Sequence, residues 1–107
     1  MRRGEIWWAS LPAPAGRRPV LLLSRDEAYL VRNLVTVAPV TTKIRSIPVE
    51  LPLGPEDGLP KSCAANLDSV VTIPKASLER RIATLTPEKL EAAEEALRFA
   101  LDLGQSS

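Results

Sequence analysis

The chain has 107 residues, 45% of them hydrophobic, and 14 lysines and arginines against 13 aspartates and glutamates give a formal net charge of +1. A chain of that size holds one small core and gains from a partner subunit that helps bury apolar surface, and so small a net charge offers no global field to a nucleic acid or a membrane; any basic site must be local. With no histidine and one cysteine, Cys63, it lacks the means for histidine-dependent triads, histidine-ligated metals, imidazole acid–base ribonuclease chemistry, an internal disulfide or a thiolate zinc site.

No apolar run approaches the roughly 20 residues that span a bilayer, and the opening MRRGEIWWASL lacks the long apolar core of a secretory signal. The expectation is a soluble, cytoplasmic protein with a single domain over residues 1–107. No repeat, glycine-rich phosphate loop or low-complexity tract interrupts it.

In EIWWASL, Ile6, Trp8 and Leu11 fall on one face and Glu5 and Trp7 on the other, which is the alternation of a first strand. One of the two tryptophans must then point inward, to the core or to a dimer contact. LPAPAG, with two prolines and a glycine, forces a turn. PVLLL (19–23) predicts a buried second strand, LVTVAPV (34–40) a third, and residues 47–53 a fourth that Pro48 and Pro52 push to a sheet edge. LGPEDGLPKS (53–62) has loop composition, and residues 67–73 and 81–85 predict further strands. Between them, PKASLE predicts one helical turn with Pro74 where a missing N–H is tolerated. Strands spread over residues 4–85 and joined by turn signals predict an antiparallel barrel or sandwich.

The period then changes. Thr86 as N-cap, Pro87 at the first helical position and Glu88 in the first turn start a helix expected over residues 87–103, with Gly104 as its stop. Leu90, Leu97 and Leu101 align, and Ala93, Ala96, Phe99, Ala100 and Leu103 widen the apolar arc to roughly 200°. That exceeds what one contact with a small sheet requires, so part of the arc is expected to face another subunit.

Three stretches carry candidate chemistry. In GRRPVLLLS, Arg17 and Arg18 stand before a strand, and Pro19 holds Arg18 extended. They read either as a solvated strand end or as a guanidinium clamp on phosphate, for which the planar fork of arginine is suited. In VAPVTTKIRS, Thr41 and Thr42 offer hydroxyl donors, and Lys43 and Arg45 extend a positive track; the alternative is a strand running into a polar turn. In NLDSV, Asp68 would be costly if buried unpaired inside an apolar strand, so it faces solvent, a cation or a base edge.

Taken in order, RGEIWWASLP, GRRPVLLLS, VTVAPVTT, LDSVVTIPKASL and a terminal helix ending in LDL resemble the MazF/PemK (Kid) family of toxin endoribonucleases, over nearly the whole chain. The resemblance implies a mainly β fold, a small SH3-like antiparallel barrel with a C-terminal α-helix, shared with CcdB toxins. It implies a homodimer, a cognate MazE-type antitoxin with a disordered acidic tail, and no cofactor or metal. It also implies metal-independent cleavage of single-stranded RNA through attack of the ribose 2′-OH, giving 2′,3′-cyclic phosphate and 5′-OH ends.

The family's catalytic arginine and threonine map to Arg18 and Thr41, with Arg17, Thr42, Lys43, Arg45, Asp68 and Ser69 as substrate contacts. A guanidinium is a poor proton acceptor, so Arg18 is assigned mainly to charge stabilisation. The short LPAPAG loop departs from members whose longer first loop, with a G-S-E-Q type segment, covers the RNA groove. The competing expectation on the same barrel is a non-catalytic CcdB-like toxin that binds DNA gyrase.

Overall fold

Seven antiparallel strands form among residues 1–104, the part of the chain that the computed structural model describes. They are β1 (Glu5–Ser10), β2 (Arg17–Leu22), β3 (Leu34–Thr41), β4 (Glu50–Leu53), β5 (Cys63–Asn66), β6 (Val71–Pro74) and β7 (Leu78–Thr84). A short helix α1 (Ala28–Val31) links β2 to β3, and the long helix α2 (Pro87–Leu101) closes the described chain. The sheet runs β4-β5-β3-β2-β1-β7, with β6 also paired to β3.

Strand β3 is the hub of this half-barrel because it changes partner along its length. Its first half pairs with β6 from Leu34↔Pro74 to Val37↔Val71, while Val37, Ala38 and Pro39 pair with Leu22, Leu21 and Val20 of β2 on the other side. Beyond Pro39 the partner is β5, through Val40↔Ala65 and Thr41↔Ala64.

The sheet is covered on both faces, which is why PVLLL reads as a continuous apolar run rather than an alternating one. One face carries Ile6, Leu21, Ala38, Val40 and Leu51 against Ala93 and Ala96 of α2; the other carries Val20, Leu22, Val35 and Val37 with Tyr29 of α1 and Ile73 of β6. Trp7 packs on the second of these clusters. Leu11 joins it there rather than Ile6 and Trp8, because β1 ends at Ser10 and the register against β7 slips between Trp8 and Ala9.

Several boundaries differ from the sequence expectations. The fourth strand is confined to Glu50–Leu53, since Pro48 cannot donate to a ladder. The strand expected over residues 67–73 is instead a 3-10 turn, Leu67–Ser69, followed by β6, because the Asn66 side chain accepts the Asp68 N–H and curls the chain. Strand β5 went unread in the sequence, as its alanines are weak strand formers that only their neighbours β3 and β4 recruit. Strand β7 begins at Leu78, three residues before the expected 81.

Helix α2 starts as its sequence dictates, with Thr86 Oγ1 accepting the Lys89 N–H at 3.2 Å and Pro87 in the first turn. Its stop is Asp102 rather than Gly104. Asp102 adopts the left-handed conformation at φ 55°, a region aspartate tolerates, and its N–H reaches the Arg98 and Phe99 carbonyls. Only part of the wide apolar arc meets the sheet: Ala93 and Ala96 are buried, whereas Phe99, Leu101 and Leu103 stay exposed.

Glu5 is buried at the start of β1, where its carboxylate accepts Trp7 Nε1 at 2.9 Å and the Arg2 N–H at 3.1 Å and faces Arg81 Nη1 at 3.5 Å. Burial on its own would raise its pKa, but these bonds and the nearby N-terminal charge outweigh it and hold the carboxyl below its ordinary 4.5. A lowered native pKa means that the ionised group stabilises the fold above 4.5, and that the gain disappears as pH falls through the lowered value. Thermal melts of Glu5→Gln and the unaltered protein are therefore expected to differ most near neutral pH and to converge on acidification below 4.5. Gly58 sits at φ +94°, where an alanine is strained, and a side chain there would begin 3.0 Å from the Ala83 Cβ and crowd it. Gly58→Ala is expected to destabilise the fold by about 1–2 kcal/mol in urea unfolding.

Candidate active site

Val20↔Pro39 is the last pair of the β2–β3 ladder. Arg18 and Thr41 each lie two residues further along their strands, so their side chains leave the sheet on the face that Val20 and Pro39 use. Here the strands part, and both residues line a groove of about 370 Å³ with Pro39, Lys43, Arg45, Asn66 and Ser69. Three of these seven carry positive charge and none is acidic. Such a donor set suits an anion.

The local chain fixes both central side chains. LPAPAG closes through Leu11 N–H to the Gly16 carbonyl and Ala15 N–H to the Pro12 carbonyl, each at 3.1 Å. That turn presents the Ala15 carbonyl to Arg18 Nε at 2.9 Å. The guanidinium plane is thereby oriented, and its two Nη groups have no partner among the described residues. Thr41 Oγ1 accepts the Lys43 N–H at 3.1 Å, which leaves the hydroxyl proton to donate elsewhere.

Lys43 and Arg45 leave from an irregular segment between β3 and β4. The buried Glu50 carboxylate accepts the Arg45 N–H at 2.9 Å, the Ser46 N–H at 3.0 Å and Arg45 Nε at 3.3 Å. Burial pushes this acid upward, yet the donors from Arg45 and Ser46 prevail and keep it below the usual carboxylate range.

Of the residues singled out in the sequence, Arg18, Thr41, Lys43, Arg45 and Ser69 thus share one groove, and three stand outside it. Arg17 points to the opposite face, where its Nε meets Glu79 Oε1 at 2.7 Å and its guanidinium lies 4.3 Å over the Trp8 ring. Thr42 borders an adjoining, mostly apolar cavity of about 100 Å³ with Trp8, Pro19, Leu59 and Cys63, which shares Thr41 with the groove. Burial raises the pKa of the Cys63 thiol there. Asp68 is exposed on the 3-10 turn rather than on a strand, and it does not line the groove.

Asn66 is the groove residue that sequence reasoning missed. Its Oδ1 accepts the Asp68 N–H at 2.9 Å and its Nδ2 donates to Ser69 Oγ at 3.0 Å, which holds the carboxamide in place. The available signal was an asparagine two residues before an aspartate, a frequent turn pattern.

The chain matches, over residues 2–101, the family described as "PemK-like, MazF-like toxin of type II toxin-antitoxin system". It is 43% identical over 101 residues to the "Probable endoribonuclease MazF5" of Mycobacterium tuberculosis, covering 94% of this chain and 92% of that protein. To the "Probable endoribonuclease MazF2" of the same species it is 39% identical over 99 residues, covering 92% and 95%. The solved structure of "Mycobacterium tuberculosis toxin MazF-mt6" superposes with a TM-score of 0.87 at 35% identity, covering 94% of this chain and 99% of that one. An "Endoribonuclease in complex with its cognate antitoxin from Mycobacterial species" gives a TM-score of 0.87 at 27% identity, with 99% of each chain covered. With a basic groove at the open end of its β2–β3 ladder and a family match along nearly its whole length, the chain belongs to the PemK/MazF family of toxins of type II toxin–antitoxin systems.

Proposed function

We propose that the protein is a cytoplasmic toxin that cleaves single-stranded RNA at short sequence motifs, acts as a homodimer and is neutralised by a MazE-type antitoxin. The observation that carries this reading is the convergence of Arg18 and Thr41 in one groove whose rim is supplied by Lys43 and Arg45. Relatives named as endoribonucleases support it, and they do not favour a gyrase-binding, CcdB-like role. One solved relative is in complex with its cognate antitoxin. Among the described residues no helix is long and apolar enough to cross a membrane.

In the reaction, the ribose 2′ oxygen forms a bond to phosphorus and gives its proton to solvent. The bond from phosphorus to the 5′ oxygen breaks, and that oxygen takes up a proton to become a 5′-OH, leaving a 2′,3′-cyclic phosphate. The free Nη groups of Arg18 and the Thr41 hydroxyl are the fixed donors for the charge that grows on the phosphoryl oxygens. They are held by the backbone before substrate arrives, so little reorganisation is needed in the transition state. Lys43 and Arg45 hold the flanking backbone phosphates. Ser69, with Asp68 and Thr42 further out, contacts bases, and Arg17, on the opposite face, adds to the positive charge that attracts RNA.

The homodimer accounts for the apolar surface that the sheet leaves uncovered on α2, with Phe99 63% and Leu101 57% exposed. The antitoxin tail, acidic and disordered when free, would occupy the groove by charge complementarity.

Purified protein is expected to cleave a mixed single-stranded RNA pool in the presence of a chelator, with new 5′-OH ends that map to a common short motif. Arg18→Ala and Thr41→Ala should each lower the cleavage rate on the order of a hundredfold while circular dichroism stays unchanged. RNA left intact by the unaltered protein, or variants as active as it, would reject the reading.

A further inference from the structure

Two carboxylates are buried among the described residues, and of these Glu50 holds the chain that forms the groove. Residues 43–46 have no ladder partner; their path is set by side chains at its two ends. Thr41 Oγ1 takes the Lys43 N–H, and Glu50 Oε1 takes the N–H of both Arg45 and Ser46. Glu50 Oε2 then receives Arg45 Nε, so the same carboxylate fixes both the backbone and the side chain of Arg45.

The two members of this ion pair differ sharply in setting. The Glu50 side chain is 2% exposed and the Arg45 side chain 56% exposed. Glu50 is anchored by the sheet, since it opens β4 and pairs with the groove residue Asn66 on β5. Arg45 spends only its Nε on Glu50, and its Nη groups have no partner among the described residues. Ser46 adopts φ 55°, a left-handed conformation that a serine keeps only where its surroundings enforce it, and the bond to Glu50 does so. Glu50 does not line the groove.

We propose that Glu50 is a positioning residue for RNA binding, whose carboxylate fixes the chain at residues 45 and 46 and so aims Arg45 at the groove that holds Arg18 and Thr41. This inference rests on the reading of the protein as an RNA-cleaving toxin. A segment ordered in advance spares the substrate the entropy of ordering it, so loss of the anchor appears in binding rather than in turnover. The sign of the effect separates positioning from simple electrostatics. Removing a negative charge beside a phosphate track should by charge alone tighten RNA binding, whereas loss of positioning weakens it.

The test uses an RNA oligonucleotide that carries the mapped cleavage motif. For Glu50→Gln, KM is expected to rise about tenfold with kcat within about twofold, and the slope of log affinity against log salt to become shallower by about 0.7, the loss of one single-strand phosphate contact. Arg45→Ala, an exposed change, should reproduce the salt effect, and Glu50→Gln added to it should weaken binding no further. If Glu50→Gln does not fold, Glu50→Asp keeps the charge while drawing the carboxylate back by one methylene, and the same rise in KM is expected. Unchanged or tighter binding by the folded Glu50 variant, or full additivity with Arg45→Ala, overturns the inference while leaving the endoribonuclease reading intact. An unaltered protein that neither binds nor cleaves the RNA rejects both.

Discussion

Pro39 has no N–H to give, and its pairing with Val20 is the last rung between β2 and β3. A proline in a central strand ordinarily argues against that strand, but here it stands where β3 leaves one neighbour for another. Past this point β2 continues against β1 alone, through Trp8↔Pro19 and Ala9↔Arg18, while β3 continues against β5. The splay opens a wedge between two strands that remain rigidly paired on their outer sides. Arg18 and Thr41 occupy its lips, so their separation is set by ladders rather than by loops.

This arrangement demands a sheet that is held from both faces. Ala93 and Ala96 allow α2 to approach closely on one side, and the short α1 with Ile73 closes the other. The apolar strands are thereby consumed by packing, and polar function is confined to the strand ends and to the segments that follow them. The same division separates the neighbouring tryptophans: Trp7 is bound into the core and hydrogen-bonded to Glu5, while Trp8 lines the small cavity and carries Arg17 over its ring.

Much of this fold is legible in the sequence alone. The long terminal helix, its Thr86 cap and the apolar stretches that became β2 and β3 are written in short-range patterns of spacing and capping. What escaped reading depends on distant partners. The alanines of β5 become a strand because β3 and β4 flank them. Asn66 enters the groove only through that strand, and nothing in CAANLDS distinguishes it from a turn asparagine. Pro19 and the family resemblance set Arg18 apart from Arg17, while the partners of Arg17 are not legible: strand alternation sends it to Glu79 and Trp8 and sends Arg18 to the groove. Nothing in the sequence marks Glu50; its burial and its three donors are visible only once residues 45 and 46 fold back over it.

The Ala15 carbonyl that orients Arg18 is a main-chain atom, and any amino acid supplies one. A guanidinium held in this way is insulated from the identities of the side chains that precede it, provided the turn keeps its length and Gly16 its positive φ of 66°. The side chains at the tip of the first loop are consequently not what sets the direction of Arg18. Point substitution there leaves the guanidinium's anchor in place, whereas a single inserted or deleted residue would move the Ala15 carbonyl and turn Arg18 with it.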